Sequence, residues 1–200
     1  MIAKELELPP PNFSAIKLNI ILKDPEKLFR ISSHDTGEPY FGVSGANRFD
    51  APGESAEFGS CYFGYKLSVA LAESVLHDEM PRSGKFSVAQ TNLDDKYVLR
   101  FQGQQLRLAN LTGVSLKRAG GHAGLGGSIN YAITQQWSLA VHNHPSTFDG
   151  FVYMSRHLNT DKAVILFDRA KPKISMLDAT KLLEFKGFAS AAKSLGIVSI

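Results

Sequence analysis

Between Phe58 and His77 the chain passes from an aromatic run, Cys61-Tyr62-Phe63, through Gly64 to apolar positions recurring at helical intervals: Leu67, Ala70, Leu71, Val75 and Leu76. This pattern predicts a strand, a tight turn and a helix over 66–77 with one buried face. Glu73 falls at the edge of that face. It is either a border residue with its carboxylate in water or a group held beside a cleft. Tyr62, at the end of the strand-like run, would bring an aromatic ring to the same end of the unit.

Elsewhere a period of two recurs. Phe29 and Ile31 alternate with Arg30, which reads as a surface residue of a short strand. Phe86–Gln90 and Tyr97–Phe101 read as strands joined through Asn92–Lys96, and Leu106, Leu108 and Leu111 as a further short piece. Phe151, Tyr153 and Ser155 share one face of a strand, which suits a pocket wall as well as an ordinary strand end. The apolar run Ala163–Phe167 predicts a central strand. Ile133, Trp137 and Val141 predict a helix over 129–141 capped by Ser128 or Asn130. Lys171–Leu177 reads as an edge piece, and Val198 and Ile200 tie down the C-terminus. Pro9, Pro10 and Pro11 hold residues 1–13 extended as an N-terminal arm. Residues 14–200 then form one α+β domain, with no repeat or composition break to divide them.

From Ser32 to Gly59 neither period survives, and a loop this long is functional or disordered. Arg48 within it could share a phosphate with backbone N–H groups, or close the loop against Asp50 or Glu54. The glycine-rich GHAGLGG, residues 121–127, lacks both the Gly-Lys-Ser/Thr ending of a phosphate loop and the dinucleotide fingerprint, so it reads as a loose turn before a helix. His142 and His144 invite a zinc site, but their spacing does not place them side by side on a helix and no third ligand stands at a familiar distance. Packing or substrate contact is the better reading of both, and no metal is expected.

Composition narrows the class. A formal charge of +3 over 200 residues is too small and scattered to mark a nucleic-acid binder, though it permits a local site for a phosphorylated ligand. The lone Cys61 excludes an internal disulfide. No basic-then-apolar leader and no membrane-length apolar run stands in the sequence, so the expected location is cytoplasmic.

The fragments Phe29-Arg30-Ile31, Gly45-Ala46-Asn47-Arg48-Phe49, Cys61-Tyr62-Phe63-Gly64 with Ala70-Leu71-Ala72-Glu73, and Asp149-Gly150-Phe151-Val152-Tyr153 with Ser155-Arg156-His157 occur in that order over about residues 28–169. In this the chain resembles the RES domain family, named for an arginine, a glutamate and a serine, which would fall on Arg30, Glu73 and Ser155. It departs from the common Gly-Gly-Arg-Trp-Asn run, having Ala46-Asn47-Arg48-Phe49-Asp50, and Ile31 replaces a frequent tyrosine. The resemblance implies a fold like ADP-ribosyltransferases and diphtheria-type toxins with a cleft for NAD. It implies a toxin of a bacterial toxin–antitoxin pair that depletes NAD by glycosidic cleavage with water or phosphate, or one that transfers ADP-ribose to protein. A non-catalytic protein that keeps the cleft and acts through a partner is the reading from another class. The implied partner is an Xre-type helix-turn-helix antitoxin, through which any DNA contact would pass. NAD is substrate, and no cofactor is implied.

On that resemblance Glu73 would stabilise positive charge developing on the ribose. Arg30 and Arg48 would clamp pyrophosphate through their planar forks. Tyr62 would pack on nicotinamide or ribose, and Ser155 would donate a hydrogen bond rather than act as nucleophile. Asn47 and Tyr153 would line the substrate site, and His142 and His144 would shape its acceptor side.

Overall fold

Strand β3 (Ser60–Gly64) and helix α1 (Leu67–Ser74) form the strand, turn and helix expected around Gly64. A Cβ on Gly64 would stand 2.7 Å from the Ala70 backbone nitrogen and 2.8 Å from the Lys66 carbonyl oxygen, so only glycine lets the chain reverse this closely. Leu67, Val69, Ala70, Leu71 and Ala72 are buried. The helix ends at Ser74 rather than 77, and Glu73 therefore stands in its last turn. These features belong to a computed structural model that describes residues 5–54 and 56–200.

Strand β3 is one edge of a five-stranded sheet that also contains β1 (Ile20–Lys23), β6 (Leu106–Asn110), β7 (Gly150–Met154) and β8 (Lys162–Phe167), in the order β1-β6-β7-β8-β3. The apolar run expected to be central is β8, which pairs antiparallel with β7 on one side and β3 on the other. In that register Tyr62 lies opposite Ile165 and Tyr153 opposite Ala163. Strands β6 and β7 run parallel. Their connection passes through α3 (Gly113–Arg118), α4 (Gly124–Gly127) and α5 (Tyr131–His142), as a parallel pair requires.

A second sheet orders β2 (Arg30–Ser32), β5 (Tyr97–Gly103) and β9 (Ile174–Lys181), with β5 in the middle. A bridge between Phe29 and Gly64 ties it to β3 and brings Arg30 to the cleft. Strands β4 (Phe86–Val88) and β10 (Ile197–Ser199) pair in parallel, so the C-terminal segment is anchored near the residues expected. Between α1 and β10 lies α6 (Phe188–Leu195).

Four local expectations are corrected. The segment expected to join two strands holds a short helix, α2 (Gln90–Asp94). Helix α5 begins at Tyr131, after an 85% exposed Ile129, and neither Ser128 nor Asn130 caps it through a side chain. Lys171 to Lys173 belong to a 3-10 turn, so the edge strand starts at Ile174. The glycine-rich stretch is pressed against β7 rather than loose: a Cβ on Gly126 would come within 2.5 Å of the Met154 carbonyl oxygen. Within the proposed arm, residues 1–4 lie outside the described residues, while Leu6 and Phe13 are buried in the main core beside Trp137 and Leu125. The indole N–H of Trp137 donates to the Glu7 carbonyl at 2.8 Å.

Candidate active site

The cleft lies where β2, β3, the last turn of α1, the end of β7 and the 40–48 loop meet. Its volume is about 670 Å³, and Arg30, Tyr62, Glu73, Tyr153, Arg48 and Asn47 all line it. Ser155 does not. It sits behind Glu73, 1% exposed, just past the end of β7. Its hydroxyl donates to Glu73 Oε1 and accepts the Leu158 N–H at 3.0 Å. With its one proton directed at the carboxylate and a backbone donor on its oxygen, Ser155 fixes the orientation of Glu73. A narrow recess of about 70 Å³ is lined by Arg30, Tyr62, Glu73 and Tyr153, all four of which also line the cleft.

Arg30 departs from the expectation of a free phosphate fork. Its Nε donates to Glu38 Oε2 at 3.0 Å, Nη2 to Glu38 Oε1 at 3.4 Å and Nη1 to the Tyr62 carbonyl at 3.3 Å. The Glu38 side chain, 4% exposed, also accepts from the Ser32 hydroxyl and the Tyr40 N–H. The Nε–Nη2 edge that would grip an anion is therefore occupied, and Arg30 braces the wall that carries Tyr62 and Tyr40.

Arg48 is committed differently. Its Nη1 donates to the Ser128 carbonyl and its guanidinium lies over the Tyr131 ring, 4.8 Å from the centroid, so neither contact neutralises its charge. The alternative that Arg48 merely closes the loop on Asp50 is set aside. Asp50 accepts instead from Ser44, Asn47, Ser60 and Tyr62. Phe49 is fully buried, with ring contacts to Phe151 at 5.0 Å and Tyr153 at 4.7 Å, and this anchors the loop in the main core. Burial and the Asp50 charge push the Tyr62 phenol well above its ordinary value, and burial and the Glu73 charge do the same for Tyr153. Both rings present a neutral, protonated face. Burial pushes the Cys61 thiol up to about 12, so this cleft-lining cysteine is no nucleophile at neutral pH.

His142 and His144 stand away from the cleft, which corrects the expectation that they shape its acceptor side. His142 stacks on Phe58 with centroids 4.5 Å apart and meets the edge of Phe167. His144 is 5% exposed, with Nε2 against the Ile16 carbonyl and Nδ1 accepting the Ser146 N–H. His142 ends α5 and His144 lies just beyond it, and both serve packing. Among the described residues no group of three or more His, Cys, Asp or Glu is placed to hold a metal ion.

The histidines at the cleft are others. His77 and His157 line it with ring centroids 4.8 Å apart, and Arg156 stands next to them with its side chain exposed. Burial lowers His157 below the usual imidazole range, against the opposing pull of Glu73. The run Ser155-Arg156-His157 was visible in the sequence, yet nothing in its spacing distinguished a wall residue from a loop residue beyond it. His77 carried no functional signal, since the pattern made it the last residue of a helix that ends instead at Ser74.

One carboxylate held by a buried hydroxyl, two aromatic faces, and Arg48 and Arg156, neither of which forms an ion pair with a carboxylate among the described residues, suit an anionic, ring-bearing ligand. The protein named probable toxin y4kH of Sinorhizobium fredii is 34% identical over 83 residues, a match spanning 42% of this chain and 65% of that relative. A chain of the M. tuberculosis MbcT–MbcA toxin–antitoxin complex shares the fold with a TM-score of 0.60 at 11% identity, over 88% of this chain and 91% of that one. The model of the RES domain matches residues 27–185, a span that takes in Arg30, the Asp50 loop, Glu73 and Ser155, and this chain belongs to that family.

Proposed function

We propose that the chain is the toxin of a toxin–antitoxin pair and that it cleaves the bond between nicotinamide and ribose in NAD. The observation that carries this reading is Glu73, half-buried in the wall of the cleft, held by the Ser155 hydroxyl, with Tyr62 and Arg48 lining the same cleft. Cleavage at ribose C1′ releases neutral nicotinamide with the bonding pair, so no general acid is needed, and the sugar takes on oxocarbenium character. Glu73 stabilises that cation, and water or phosphate then adds at C1′ and gives up its proton. Tyr62 and Tyr153 supply ring faces, and Arg48 with Arg156 meets the diphosphate. The cleft volume, about 670 Å³, is within the range of small-ligand sites.

Support for the toxin role comes from the relative named as a probable toxin and from the shared fold with a chain of a toxin–antitoxin complex. An antitoxin of the helix-turn-helix type would cover the cleft and carry the DNA contact. Exposed Tyr40 and Val43 on the rim offer apolar surface for such a segment. No helix among the described residues is long and apolar enough to cross a membrane, and action in the cytoplasm is part of the proposal. The test is incubation of purified protein with NAD, with and without phosphate, and product identification by mass spectrometry. Nicotinamide with free or phosphorylated ADP-ribose is expected. Intact NAD would refute the reading, and ADP-ribose fixed on protein would redirect it to transfer.

A further inference from the structure

Asp50 lies one layer behind the cleft and is 1% exposed. Its Oδ1 accepts from the hydroxyls of Ser60 and of Tyr62, the latter at 3.1 Å. Its Oδ2 accepts from Ser44 Oγ at 3.0 Å, the Asn47 N–H at 3.1 Å and Asn47 Nδ2 at 3.0 Å. Every partner is a donor, and among side chains of this size only an ionised carboxylate accepts at both ends. The same loop is tied from its other side to α5. Thr134 Oγ1 donates to the Arg48 carbonyl at 2.6 Å, Ser138 Oγ to the Phe49 carbonyl at 2.7 Å, and Gln135 Nε2 to the carbonyls of Gly45 and Asn47. Helix α5 thus holds the backbone of residues 45–49, and Asp50 holds their polar groups against β3.

The Tyr62 hydroxyl is used up by this arrangement. It gives its proton to Asp50 and accepts the Phe49 N–H at 3.0 Å, so it has no further proton to offer a ligand. Only the ring face of Tyr62 reaches the cleft, and its tilt is set from behind. We propose that Asp50, as the anion, is a positioning residue that fixes the Tyr62 ring and the loop bearing Arg48 and Asn47 in the geometry that receives the ligand. The identity of that ligand rests on the NAD reading, whereas the positioning itself does not.

An asparagine at this site keeps the shape but turns an N–H pair toward one set of donors. If that pair faces Oδ1's partners, the Ser60 and Tyr62 hydroxyls must turn their protons elsewhere; if it faces Oδ2's, Asn47 loses its acceptor. The experiment compares the parent with Asp50→Asn, Tyr62→Phe and their double variant, alongside Ser44→Ala, which removes a single donor. NAD kinetics, melting temperature and amide exchange are read on each. Asp50→Asn is expected to raise KM about tenfold with kcat changed far less and the fold retained. The double variant is expected to fall short of the product of the single effects, because both act through one bond. Without ligand, exchange at the Asn47 and Phe49 amides is expected to quicken about tenfold in Asp50→Asn. In Ser44→Ala, which keeps the carboxylate if Asp50→Asn does not fold, a smaller quickening is expected at Asn47. KM within roughly twofold of the parent together with unchanged exchange overturns the proposal, as does full multiplicativity with Tyr62→Phe. If the parent neither binds nor consumes NAD, the NAD reading falls, and the exchange measurement alone decides the role of Asp50.

Discussion

Replacing Glu73 by Gln isolates the charge on which the proposed chemistry depends. The amide keeps the volume, and its carbonyl can take the Ser155 proton that Glu73 Oε1 takes now, so the last turn of α1 has no reason to move. What disappears is a unit negative charge close to the cationic sugar. At about 4 Å and an effective dielectric of about 20, such a pair is worth about 4 kcal/mol. Since about 1.4 kcal/mol is tenfold in rate, full loss would be roughly a thousandfold; the amide dipole and the attraction already felt by the nicotinamide cation in the ground state take up part of it, and a fall in kcat of about 100-fold is expected. KM should rise modestly, because the nicotinamide nitrogen bonded to C1′ already carries a positive charge in the ground state, and the larger effect falls on kcat as that charge moves onto the sugar. The assay is steady-state release of nicotinamide by chromatography, with circular dichroism melts to show that the variant is folded. A folded Glu73→Gln protein that turns over NAD within about threefold of the parent would refute the reasoning and return Glu73 to the helix border.

Ser155→Ala strands the Leu158 N–H and unlocks Glu73, so a loss of about 1–3 kcal/mol in stability and about tenfold in kcat is expected, read by melting and kinetics. Glu38→Gln removes the charge opposite Arg30 and turns an N–H pair toward either the Ser32 hydroxyl or the Tyr40 N–H; a cost of about 3 kcal/mol is expected in urea unfolding, and parent-like stability would show that the pair braces nothing. His142→Ala should leave NAD kinetics unchanged while lowering the melting temperature, because its ring packs on Phe58 and Phe167 and does not line the cleft. Burial lowers both His142 and His157, so the unfolded chain binds their protons more tightly. Their contribution is full above the unfolded value near about 6.5 and is lost as pH falls through it, which urea titrations over that range would show.

How much of this was legible in the sequence depends on the range of the interaction concerned. The strand, turn and helix around Gly64 and the central strand β8 follow from local periods, which side-chain burial enforces residue by residue. The short helices α2 and α4 escaped because they are too brief for a period to register. Glu73 and Tyr62 were placed correctly at one end of a pocket by their positions around a single turn. Ser155 was read as a wall residue of the same face as Phe151 and Tyr153; its hydroxyl instead reaches back under the cleft to Glu73. The pairing of Arg30 with Glu38, and the five donors on Asp50, depend on how a loop without any period folds onto β3. No spacing rule reaches such contacts. His142 and His144 misled because two histidines close together suggest chemistry, while the register of α5 turns them into the aromatic packing behind the sheet.

The order of strands β3 and β8 in the chain has a consequence for synthesis. Helix α1 and Glu73 hang from β3, whose sheet neighbour β8 is not made until residues 162–167, and Ser155 follows Glu73 by 82 positions. On a ribosome adding about 5–20 residues per second, roughly 4 to 16 seconds separate the carboxylate from the hydroxyl that orients it. The residues through β8 must leave the exit tunnel before the cleft exists. A nascent copy that stops short of Ser155 carries the glutamate without the hydroxyl that orients it.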